Sequence, residues 1–266
     1  MSTNMSRREF PTLFFLLVFA LSIPLSLAGT VIGLELLPGL PASSLVVTFC
    51  PLIAALILVY REDKLAGATT LLKRAFDYKR IKAKAWYIPI VLLMPGVMVL
   101  SYELLRWMGS PIPQPQFPIW APLAMFLPFF IAALGEELGW MGYAVEPMQD
   151  RLNALEAGLL LGVAWAAWHI IPVVQAERSP EWIAWQCLFW VTSRVLFVWL
   201  FNNTGKSVFA VAVYHVMLNL TWQLFPINGS YYDPRITALI VTFAAIIVIV
   251  LWGPRTLAQY RYARLR

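Results

Sequence analysis

The stretch IWAPLAMFLPFFIAALGEELGW, residues 119–140, decides how the whole chain is read. It is an apolar run long enough to cross a bilayer, which takes about 20 residues. Yet it carries two adjacent glutamates, Glu136 and Glu137, near its end. A charged side chain within a spanning segment is costly and marks a functional hypothesis by default. Successive helical residues point about 100° apart. Both carboxylates can therefore face the protein interior only around a polar cavity or beside a partner.

Working outward, the same apolar character recurs along the chain. Of its 266 residues, 60% are hydrophobic and 13% are charged. A soluble domain is closer to half apolar and a quarter charged, so lipid is the solvent that fits this composition. The expected fold is all-α, a polytopic transmembrane helix bundle of about eight spans, at 11–32, 43–60, 86–105, 119–140, 155–175, 182–201, 205–224 and 236–252. One membrane domain is expected over 1–266, with no separate soluble domain. The first run follows Arg7 and Arg8 as a signal peptide would, but it is too long for one and reads as a retained span. No internal repeat is visible, which weighs against an inverted-repeat transporter.

The net charge of +6 sets topology rather than suggesting nucleic acid. With the N-terminus placed in the cytoplasm, sixteen of the twenty Lys and Arg residues fall inside: Arg7 and Arg8, the eight of the 61–85 loop, Arg151, Lys206, and four in the tail from Arg255 to Arg266. This asymmetry obeys the positive-inside rule and calls for an even number of spans. The expected location is the cytoplasmic (plasma) membrane, with both termini cytoplasmic. Segment 61–85 reads as an amphipathic helix on that surface, and the proline-rich 107–118 loop as a stiff outer connection. Cys50 and Cys187 lie in apolar runs without metal-ligand spacing and read as small buried hydrophobes.

The remaining buried polar candidates are His169 in the fifth span, Arg194 in the sixth, and His215 and Asn219 in the seventh. A carboxylate beside an imidazole can hold and deprotonate a water molecule. His215 and Asn219 are four apart and share a helix face, where they could donate to an oxyanion. Two histidines and a carboxylate could equally make a three-ligand zinc site, through Glu136, His169 and His215. There is no HExxH, no GxSxG and no catalytic-cysteine pattern. The residues therefore point to hydrolysis by activated water, with a divalent metal such as zinc left open. Arg194 is the natural ion-pair partner for Glu137, while Trp140, Trp165 and Trp168 read as packing around the cavity.

These residues resemble a known family. GEELGWMGY at 135–143, WAAWH at 165–169 and HVMLN at 215–219 are similar, in order, to the motifs of the CAAX prenyl protease and bacteriocin-processing (CPBP, Abi) family of intramembrane endopeptidases. The likeness covers roughly 130–224, the family-like catalytic core. It implies a membrane endopeptidase in which Glu136 and His169 activate water, His215 and Asn219 stabilise the oxyanion or help complete a metal site, and Glu137 orients the site. The substrate would be a peptide or protein, hydrophobic or lipidated, with the lipid bilayer as the other partner and no nucleic acid. One departure stands out: the arginine of the first motif falls at Met141, which cannot pair with Glu137. Arg194 could supply that charge instead. Alternatively, the protein is an inactive relative with an immunity or scaffold role. A proton-coupled transporter is the third reading, because Glu and His also relay protons in membranes.

The span boundaries conflict with a shared site. At ~1.5 Å per residue, Glu136 would lie about 24 Å from the outer start of its span and His169 about 20 Å from the inner start of the next. The two meet only if those boundaries move.

Overall fold

The computed structural model describes residues 10–258, apart from 33–34, 38–39 and 42. Arg7 and Arg8 at one end, and Arg261, Arg264 and Arg266 at the other, lie outside the described residues. The architecture is helical: α1 Thr12–Ile32, α2 Ser43–Val47, α3 Cys50–Lys73, α4 Tyr87–Trp107, α5 Ala121–Gly139, α6 Val145–Gln149, α7 Ala154–Gln175, α8 Pro180–Asn203, α9 Val208–Leu224 and α10 Pro234–Trp252. A short antiparallel ribbon pairs Glu35–Leu37 with Leu40–Pro41. Seven helical stretches are long and apolar enough to cross a bilayer, as an integral membrane protein requires. The expected span at 205–224 is α9, with 17 helical residues. It is enclosed by α4, α5 and α8, so it has little need to match the lipid thickness.

Burial ranks the helices. In α8, 67% of the apolar window is buried, against 28% in α1 and α10. The chain therefore builds outward from α8, which packs on α7, α9 and α10, while α5 packs on α3 and α9. Lipid offers no hydrophobic drive between helices, so close backbone approach has to supply the packing. Glycines make it possible. A Cβ on Gly139 would lie 2.5 Å from the Pro51 carbonyl oxygen, and one on Gly135 would lie 2.9 Å from the Phe49 ring. On α7, a Cβ at Gly162 would lie 2.7 Å from the Val191 carbonyl oxygen of α8. These two GxxxG stripes, GEELG at 135–139 and GLLLG at 158–162, press α5 onto α3 and α7 onto α8.

The fourth span differs from its expected boundaries, and the difference settles the depth conflict. The helix continues past Trp140 through a π-helical turn, Trp140–Ala144, into α6, giving an apolar stretch of 29 residues from Ala121 to Gln149. Glu136 is then its sixteenth residue, close to midspan. His169 is the sixteenth of the 22 residues of α7, so counted from the opposite side it comes to a similar level. α7 starts at once after the 150–153 turn, with a capping box between Asn153 and Glu156.

The 61–85 segment also differs. α3 breaks at Lys64, whose left-handed φ of 55° ends the spanning part. Leu65–Lys73 then continues, and single 3-10 turns follow at Arg74–Phe76, Tyr78–Arg80 and Lys84–Trp86. Leu65 and Phe76 are exposed, as an interfacial segment requires. Arg74 and Asp77, however, turn inward. The Arg74 guanidinium donates to the carbonyls of Gly142 (2.6 Å) and Lys206 (2.9 Å). The Asp77 carboxylate accepts from Ser207 Oγ (2.7 Å) and from the backbone N–H of Phe209 (3.1 Å). An anion on the first turn of α9 satisfies its open N–H groups and its dipole. One end of the bundle thus gathers Arg74, Arg80, Lys206 and Arg255, the last through its carbonyl bond to Ala154. This is the basic end that the charge asymmetry requires.

Candidate active site

Glu136 and Glu137 sit on the last turn of α5, just before the π-helical turn. Such turns widen a helix by one residue and often mark functional sites. The two carboxylates face different partners. Glu137 is fully buried: its Oε2 accepts from Arg194 Nη1 at 2.7 Å and its Oε1 from His215 Nδ1 at 2.8 Å. Both oxygens are taken. Glu136, 6% exposed, accepts a single bond, from Trp165 Nε1 at 2.8 Å to its Oε2. Its Oε1 has no partner among the described residues.

Arg194 projects from the buried face of α8. Its guanidinium lies 3.9 Å from the Trp165 ring centroid and 4.5 Å from that of Phe197. Nε and Nη2 are buried without hydrogen bonds, so the aromatic faces supply the electrostatic contact those edges lack. Gly162 permits this arrangement, because the close α7–α8 approach brings Trp165 under the guanidinium.

Both histidines are held through Nδ1. In His169 that nitrogen lies 2.8 Å from the Trp165 carbonyl. A carbonyl only accepts, so Nδ1 carries the proton and Nε2 is left bare in the neutral ring. In His215 the Nδ1 proton points to Glu137, again leaving Nε2 unengaged. His169 is half-buried and stacks on Trp190 with centroids 4.6 Å apart, while His215 is 2% exposed. The Trp165 ring stands edge-on to both imidazoles, at 4.8 Å and 5.6 Å. Asn219, one turn beyond His215, is half-buried and makes no hydrogen bond among the described residues.

The structure thus draws Glu136, Glu137, Arg194 and His215 together, and places His169 against the same indole. The group whose ligand atoms lie within 4.8 Å of one another is Glu136, Glu137 and His215, not Glu136, His169 and His215. Met141, at the position of the motif arginine, is fully buried in the π-helical turn, and the cation beside Glu137 is Arg194. Trp165 is more than packing, since it donates to Glu136. Its part was missed, although its place four residues before His169 marked it. The two GxxxG spacings were equally visible.

Residues 118–221 match the family model described as type II CAAX prenyl endopeptidase Rce1-like. A curated relative, CAAX prenyl protease 2 of Methanococcus maripaludis, is 28% identical over 272 aligned positions, covering 92% of this chain and 94% of the relative. The chain is similar to that protease almost end to end, and the match to the family model spans α5 to α9, the helices that bear every residue of the site. The part of the chain that holds the buried glutamates and both histidines is the part that matches the Rce1-like model of type II CAAX prenyl endopeptidases.

Proposed function

We propose that the protein is an intramembrane endopeptidase that hydrolyses a peptide bond with water activated by Glu136. The unequal engagement of the two glutamates carries this reading. Glu137 has no free oxygen, whereas Glu136 Oε1, His169 Nε2 and His215 Nε2 are uncommitted. In this reading Glu136 takes one proton from water while His169 Nε2 accepts a hydrogen bond from the other. The hydroxide oxygen bonds to the scissile carbonyl carbon. His215, protonated on both nitrogens and balanced by Glu137, donates from Nε2 to the oxyanion, and the Asn219 amide donates beside it. Glu136 then gives its proton to the departing amine as the C–N bond breaks. Arg194 neutralises Glu137, so His215 has an ionised acceptor at Nδ1.

A divalent cation such as zinc is the second reading, favoured by the cluster of Glu136, Glu137 and His215. The donor set fits it poorly. Glu137 already accepts from both Arg194 and His215, and a guanidinium 2.7 Å from that carboxylate repels a second cation.

The substrate class follows the relative named CAAX prenyl protease 2: a hydrophobic or lipidated peptide, reached from the lipid. The whole chain acts as one membrane domain, with the basic end and both termini in the cytoplasm and the protein in the cytoplasmic membrane. An inactive scaffold and a proton-coupled transporter gain nothing from the comparisons. The test is cleavage of a prenylated peptide ending in a CAAX sequence by the purified protein in lipid nanodiscs, with and without a chelator. Cleavage that survives chelation and is lost in Glu136→Ala is expected. Equal cleavage by both proteins would sink the mechanism.

A further inference from the structure

Trp165 occupies a place that simple packing does not explain. Its indole N–H reaches 2.8 Å to Glu136 Oε2, its face lies 3.9 Å below the Arg194 guanidinium, and its carbonyl holds His169 Nδ1 at 2.8 Å. One residue therefore touches three polar members of the site. Arg194 is in turn fixed by Glu137, so the indole cannot rotate without breaking the cation–π contact.

We infer that Trp165 is a positioning residue for Glu136, holding Oε2 so that Oε1 stays turned toward the reacting water. The inference rests on Glu136 being the base. Phenylalanine keeps an aromatic face for Arg194, but it is smaller and has no N–H to donate. A free Glu136 carboxylate can rotate about its last torsion, which is broad, and either oxygen could then turn toward Arg194. The indole bond removes that freedom. Glu137 is guarded in the same way by His215, so each glutamate has its own neutral or cationic donor and the two do not compete for Arg194.

Trp165→Phe tests the positioning role in nanodiscs with the prenylated CAAX peptide. A hydrogen bond to a charged group contributes enough to change a rate about ten- to a hundredfold. The expected result is a fall in kcat of that size in protein that is still fully folded at the assay temperature, with KM unchanged. Wild-type kcat would overturn the inference. So would a fall that disappears when cleavage is compared well below the lowered unfolding midpoint, since that is what packing alone gives. A second readout needs no substrate. In protein labelled with 15N-tryptophan, the indole resonance missing from Trp165→Phe is that of Trp165. It should move and exchange faster with solvent in Glu136→Ala, and an unmoved resonance would show that the bond is absent. Should Glu136→Gln cleave normally, the proposed function falls, while the resonance still reports on the contact.

Discussion

Two charge clusters, joined by the helical stretch from Glu137 to Gly142, do different work. At the basic end, Arg74, Asp77, Glu146 and Lys206 form a partly solvated group, with Lys206 Nζ 2.6 Å from Glu146 and half-exposed. At midspan, Glu137 and Arg194 are fully buried and 2.7 Å apart. Exposed pairs contribute little, because water already solvates both charges. A buried pair is different: neither partner can be removed without stranding the other. The outer cluster therefore ties helices together, through Asp77 on α9 and Arg74 on Gly142. The inner one sets which atoms remain free for chemistry.

The contrast can be broken at four points, from the largest expected effect to the smallest. Glu137→Ala leaves Arg194 buried without an anion and should cost about 3–5 kcal/mol, read as a collapse of the thermal unfolding midpoint in detergent. Gly162→Val forces α7 away from α8 and should cost about 1–3 kcal/mol. It should also lose cleavage, because Trp165 no longer reaches Glu136. Asp77→Ala removes the anion from the first turn of α9, whose Ser207 cap remains, and should cost roughly 0.5–2 kcal/mol, with activity falling only as far as His215 shifts. Lys206→Ala should cost less than about 1 kcal/mol and leave cleavage unchanged. A Lys206→Ala variant as damaged as Glu137→Ala would erase the distinction between the clusters.

Much of this was legible in the sequence, for physical reasons. Lipid demands long apolar runs, so the spans stand out, and the histidines and glutamates within them were easy to single out. The pairing of Arg194 with Glu137 followed from charge alone. The π-helical turn was not legible: nothing in WMGYA at 140–144 announces an extra residue per turn, and without it Glu136 lay at the wrong depth. The inward turn of Arg74 and Asp77 was hidden because a basic, mixed segment reads the same whether it faces headgroups or the protein. The indole bond of Trp165 was missed because a tryptophan in a span is usually read as bulk, and its N–H matters only once a partner is placed.

The central claim is that adjacent glutamates have separate duties, Glu137 holding the site together and Glu136 performing the hydrolysis. Glu136→Gln tests it most directly, since the amide keeps the shape and the Trp165 contact but cannot take a proton. The account predicts a protein with the wild-type unfolding midpoint whose cleavage rate falls by about a hundredfold or more. A folded Glu136→Gln protein that cleaves at the wild-type rate would contradict it.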